Sequence, residues 1–121
     1  MYERLAVDAP PEAVVQALRD VLRARGITEY AVVDHGHDMA ATGATAYAAW
    51  TVIFGNPAAG ARLLAHDVAA AVDIPLRLAV IGRDGGSEIV LRDMRSLVDA
   101  DVADDFTAVL RGLAEAARER A

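Results

Sequence analysis

Neither cysteine nor lysine occurs in this chain of 121 residues. The first absence excludes disulfides, thiolate catalysis, iron–sulfur clusters and all-cysteine zinc sites. The second excludes Schiff-base chemistry and the phosphate-gripping lysine of a P-loop, because all twelve basic residues are arginines. Aromatic side chains make up only 5% of the chain. The core is therefore expected to consist mainly of Val, Leu and Ile, with Trp50, Phe54 and Phe106 as its large pieces. No apolar run reaches the roughly 18 residues that a membrane-spanning helix needs. The opening residues, Met1 to Leu5, include no apolar stretch of signal-peptide length, and a cytoplasmic location is expected.

The residues that are present describe a folded domain. Hydrophobic residues form 55% and charged residues 25% of the sequence, far from the composition of a disordered chain. A chain of this length is expected to form one domain, residues 1–121, around one core. The formal net charge is −6. Its long-range field repels phosphate, so neither nucleic acid nor an anionic membrane is an expected partner.

The hydrophobic pattern changes period along the chain. Tyr2 to Val7 reads as a strand, and Asp8-Ala9-Pro10-Pro11 stops it and presets a helix start. Val14, Leu18, Val21 and Leu22 then form a helical stripe that Gly26 terminates. Ile27 to Asp34 reads as a second strand, followed by a polar corner at His35-Gly36-His37-Asp38 and a short helix over about 38–42. Ala46 to Phe54 is an apolar run of strand length and is expected to be a buried central strand. Asn56 as cap and Pro57 as first helical residue predict a helix to about Val72, with Leu64, Val68, Ala71 and Val72 facing inward. Leu76 to Ile81 and Ile89 to Leu91 form an antiparallel hairpin around Asp84-Gly85-Gly86-Ser87. A last helix from about Asp101 should turn Val102, Phe106, Val109, Leu110 and Leu113 to the core. The order β-α-β-(α)-β-α-β-β-α predicts an α+β two-layer sandwich, a mostly antiparallel sheet with helices packed on one face.

Four segments in this order carry a family resemblance: Val33-Asp34-His35, Phe54-Gly55-Asn56-Pro57-Ala58-Ala59-Gly60, Asp73-Ile74-Pro75-Leu76 and the Asp84-Gly85-Gly86 hairpin. Over roughly residues 8 to 95 the chain resembles the domain of unknown function family number 302. The Phe-Gly-Asn-Pro-x-x-Gly element is the most specific part, since strand, tight turn and helix cap fall in one register. The chain departs from the pattern at Ile74, where leucine is typical, and at Leu91-Arg92-Asp93-Met94, where an aromatic-polar segment is usual. The resemblance implies a compact α+β fold that is often a dimer. It implies no established activity, cofactor or catalytic residue.

Two clusters are candidate sites. His35 and His37, two residues apart, offer imidazole nitrogens to a divalent metal, while Asp34 and His35 can equally cap the strand end. Asn56 and the amides up to Gly60 form a helix N-terminus, with Arg62 as a counter-charge for a phosphate or carboxylate, or Asn56 serves simply as an N-cap. Ala61-Arg62 stands where a Walker motif needs Lys-Ser/Thr. His66 lies off the inner helical stripe, Ser87 and Ser96 lack a nucleophile-elbow context, and Asp99, Asp101, Asp104 and Asp105 read as a solvated helix start. The leading expectation is a non-catalytic small-molecule-binding or regulatory homodimer. It would hold a small anionic molecule among Asp34, His35, Asn56, Gly60 and Arg62, with the His35 corner and the Asn56 helix start on one edge of the sheet. The alternatives are a metal-dependent enzyme or redox helper using His35 and His37, and a purely structural dimerisation domain. No cofactor is assigned.

Overall fold

The computed structural model describes residues 1–96 and 100–121. Its elements are β1 (Tyr2–Val7), α1 (Pro11–Ala24), β2 (Thr28–Asp34), α2 (His35–Ala41), β3 (Ala49–Gly55), α3 (Pro57–His66), β4 (Leu76–Arg83), β5 (Gly86–Arg92) and α4 (Ala100–Arg120), with 3-10 helices at Val68–Asp73 and Met94–Ser96. The strands form one sheet in the order β1-β5-β4-β3-β2, and each neighbouring pair is antiparallel. The expected α+β architecture is present. β3 is an interior strand, but β4 occupies the middle of the sheet.

Strict alternation in β3, β4 and β5 determines where the core lies. Val52 and Phe54, Leu78 and Val80, and Ile89 and Leu91 are buried, while the residues between them are half-exposed or exposed. One sheet face is therefore apolar and covered, as antiparallel sheets allow. α1 covers it with Val14, Leu18, Val21 and Leu22, the stripe read from the sequence, and adds Val15 and Ala17. α4 packs beside α1, and its buried side is Ala103, Thr107, Leu110, Leu113, Ala114 and Ala117. Leu110 and Leu113 face the core as expected, and Phe106 packs against it partly buried; the expected face is corrected at Val109, which is 49% exposed, and the buried side is shifted toward the alanines. The fully buried alanines explain the rotation, because small side chains let α4 approach α1 and the sheet closely. The Val102 side chain lies outside the described residues.

Three boundaries differ from expectation for local reasons. α2 begins at His35 rather than Asp38, because the Asp34 carboxylate accepts a hydrogen bond from the His37 amide at 2.9 Å and starts the helix. The third helix stops at His66. Asp67 adopts an extended conformation, and its carboxylate accepts from the Ala69 amide at 2.9 Å, capping the 3-10 helix instead. The expected inner stripe therefore fails: Leu63 is the buried residue, while Val68 and Val72 are 73% and 83% exposed. β3 starts at Ala49, three residues after its expected start.

Polar bonds tie the two layers together. The buried Ser87 hydroxyl donates to the Ala9 carbonyl at 2.6 Å, joining β5 to the turn before α1. Arg111 of α4 donates twice to Glu3 of β1, and Arg19 of α1 donates twice to Glu29 of β2. Across the strands, Arg4 and Arg83 both donate to Glu88, and these two hydrogen bonds hold its carboxyl below its ordinary pKa of 4.5.

A carboxyl whose pKa is lowered by folding adds stability above its unfolded value and loses it as pH falls through the folded value. The stability of the parent chain to denaturant should therefore decline as pH falls below the ordinary carboxyl range, and the Glu88→Gln variant should show a smaller decline over the same titration. Backbone packing makes a second expectation. A Cβ on Gly36 would lie 2.6 Å from the Tyr47 carbonyl oxygen, whereas one on Gly112 would meet nothing within 4 Å. Urea unfolding should show Gly36→Ala destabilised by about 1–3 kcal/mol and Gly112→Ala, inside α4, stabilised by up to about 1 kcal/mol.

Candidate functional site

The Phe54–Gly60 segment builds one wall of a large concavity. β3 ends at Gly55, and Asn56 caps α3 by accepting the Ala58 amide on its side-chain oxygen at 3.0 Å. The Asn56 carbonyl accepts the Gly60 amide at 3.0 Å. Pro57 has no N–H to offer, so within the first turn the Ala59 amide is the donor that no hydrogen bond claims among the described residues. The anion-holding capacity of this helix start is thus reduced to a single amide.

Between α3, the Val68–Asp73 helix and α4 lies a cavity of about 670 Å³. Phe54 and Leu76, a cross-strand pair, form its floor at the end of the sheet. Ile27, Leu64, Ile74, Phe106 and Val109 complete an apolar lining, and the Ile74–Pro75 peptide beside it is cis. Asn56, Gly60 and Arg62 are on the α3 side and Tyr30 on the β2 side. Arg62 is exposed and has no carboxylate partner among the described residues. α3 packs on the 3-10 helix that follows it and buries only Leu63, so this wall of the cavity is weakly anchored to the sheet.

Asn56, Gly60 and Arg62 are therefore brought together, but Asp34 and His35 are elsewhere. The antiparallel register pairs Asp34 with Trp50 and Thr28 with Gly55. The His35 corner and the Asn56 helix start consequently lie at opposite ends of β3, about 20 Å apart at ~3.3 Å per residue. The expectation of a shared edge is corrected: it assumed parallel strand exits, and the strands are antiparallel. His35 Nε2 is 2.7 Å from the Thr51 hydroxyl, on the sheet face turned away from α1 and α4. The His37 side chain is 82% exposed beside Asp38. Among the described residues no group of three or more His, Asp or Glu side chains is arranged to hold a metal. His66 is exposed, the Ser87 hydroxyl is occupied by Ala9, and Asp99 lies outside the described residues.

The apolar lining was missed from sequence, although signals for part of it exist. Phe54 and Leu76 stand at the facing ends of two alternating strands. Phe106 and Val109 flank the Leu110–Leu113 stripe without belonging to it. Their positions leave a gap only because α4 rotates its alanines inward. The arrangement suits binding: a mostly apolar space with few polar groups at its rim and, among the described residues that line it, no pair of side chains placed as nucleophile and base.

A family model described as "Domain of unknown function DUF302" matches residues 3–120. The crystal structure of an uncharacterized conserved protein DUF302 from Bacillus stearothermophilus superposes with a TM-score of 0.81 at 14% identity, covering 98% of this chain and 96% of that one. At that identity the likeness concerns the fold. No match was found among curated proteins.

The capping and packing roles of two rim residues can be separated by stability measurements. Asn56→Ala should cost about 1 kcal/mol in urea unfolding through the lost cap. A Cβ on Gly60 would sit 3.7 Å from Ile74 Cδ1, an ordinary contact, so Gly60→Ala should be neutral or stabilising by up to about 1 kcal/mol.

Proposed function

The chain belongs to the DUF302 family of domains of unknown function, and from that premise we propose that it is a non-catalytic module binding a small, largely apolar molecule that carries one anionic group. The observation that supports this reading is the cavity of about 670 Å³ with Phe54, Leu76, Phe106 and Val109 in its walls and Arg62 at its rim. Its volume falls within the range of small-molecule pockets, and its composition matches theirs. The apolar body of the ligand gains affinity by leaving water, and its carboxylate or phosphate gains orientation from the Arg62 guanidinium and the Ala59 amide. Asp34 and His35 take no part. The loosely anchored α3 wall provides the route of entry.

A homodimer belongs to the same reading. Val68 and Val72 are highly exposed apolar residues on the 3-10 helix that borders the cavity, so pairing of two such helices would cover them and brace the cavity wall. Sedimentation at dilute concentration is expected to give a dimer, and the Val68→Ser/Val72→Ser variant a monomer.

Decanoate and 1-decanol, an acid and an alcohol of equal chain length, test the cavity by thermal shift. A one-site ligand at ten times its Kd adds about 1.4 kcal/mol, several degrees of Tm for a chain of this size. Decanoate should stabilise the parent and His35→Ala proteins equally. Arg62→Ala should lose most of the shift with decanoate and keep the smaller one with decanol. Gly60→Leu, which fills the cavity, should lose both. Absence of any shift in the parent protein, or full retention of both in Gly60→Leu, would overturn the reading.

A further inference from the structure

The sheet face turned away from α1 and α4 is covered by neither long helix. In the middle of it, Val33, Thr51, Ala79 and Val90 form one cross-strand row, with Ile53 on one side and Ala49 and Ile81 on the other. All seven are half-buried rather than buried. From Val33 to Val90 the row crosses about 14 Å at ~4.8 Å per strand.

Charge on this face is opposite in sign to that of the molecule. The strand residues pointing to it include Arg4, Arg77, Arg83 and Arg92 and a single acid, Glu88. The chain as a whole has a net charge of −6. Glu88 is already shared by Arg4 and Arg83. Arg77 and Arg92 are the next residues of this face on adjacent strands beyond the Ala79–Val90 pair, and neither has a carboxylate partner among the described residues. The Arg92 Nε atom is buried and makes no hydrogen bond. An unpaired buried donor beside a second unpaired arginine costs stability in the free chain, a cost that an incoming carboxylate removes.

We propose that this face docks an acidic polypeptide, one that lays apolar side chains on the Ile53–Ile81–Val90 centre and seats a carboxylate on Arg77 and Arg92. The proposal is independent of the cavity. The apolar row is too wide for a lone inorganic anion. A symmetric pairing of two copies through this face would set four arginines against four arginines. Nucleic acid is a poorer match, because the centre of the face has no aromatic side chain for base stacking and the whole-molecule charge repels a polyanion.

Two-dimensional ¹H–¹⁵N NMR of the full chain tests this with a blocked peptide alternating valine and glutamate, its valine–lysine counterpart, an oligothymidylate and phosphatidylglycerol vesicles. The valine–glutamate peptide should shift amides of residues 77–81 and 88–92 and leave those of α1 unmoved. Arg77→Glu/Arg92→Glu should weaken that binding at least about tenfold. Should the charge-reversed chain fail to fold, Arg77→Gln/Arg92→Gln removes the charge without reversing it and should weaken binding in the same direction. The proposal is overturned by absence of shifts at millimolar peptide, by equal binding of the valine–lysine peptide, by tighter binding of the oligonucleotide or the vesicles, or by an affinity that the folded variants leave unchanged.

Discussion

Everything in this molecule hangs on one packed layer: the Val52, Phe54, Leu78, Val80, Ile89 and Leu91 side of the sheet pressed against α1 and α4. Burying side chains of this size contributes about 1.5–3 kcal/mol each, and the sheet has no second layer to share the load. The alanines of α4 make the contact close. With Ala103, Ala114 and Ala117 fully buried, the helix backbone sits near its neighbours, and bulkier Phe106 and Val109 are pushed to its flank.

That rotation links packing to function. A helix that buried Phe106 fully would close the space above Phe54 and Leu76. Here the space stays open, bounded on its far side by α3 and the 3-10 helix, whose hold on the rest of the fold is slight. The same economy leaves the opposite sheet face without a long helix, met by α2 through His35 at Thr51. One layer of helices covers one face, and the arginines on the other face keep it hydrated in the free chain.

Much of the fold was legible. β1 and the α1 stripe follow from the spacing of Leu5, Val7, Val14, Leu18 and Leu22, and the β4–β5 hairpin follows from Asp84-Gly85 between alternating segments. The α3 start followed from Asn56-Pro57, since capping is a contact between near neighbours. What escaped was set by competition between local signals: Asp67 could continue α3 or cap a new turn, and its side chain does the second. Part of the α4 face escaped for a different reason, although Leu110 and Leu113 are buried as their spacing implies. Periodicity ranks Phe106 and Val109 above alanine by hydrophobicity, while packing against α1 rewards small size.

The candidate site shows the same division. Residues within one helix start, Asn56, Gly60 and Arg62, line one cavity, as their closeness in sequence requires. Asp34 and His35, expected beside them, lie at the other end of β3, a placement set by the direction of β3 relative to β2, which is not written in either strand. By itself the sequence determined the type and order of the elements, their caps and the absence of thiol and lysine chemistry, all properties of residues a few positions apart. Only the tertiary structure decided which strand ends meet, where the cavity opens and which face lacks a long helix. Those depend on registers such as Asp34 opposite Trp50 and Glu3 against Arg111, which long-range packing selects among locally equal alternatives.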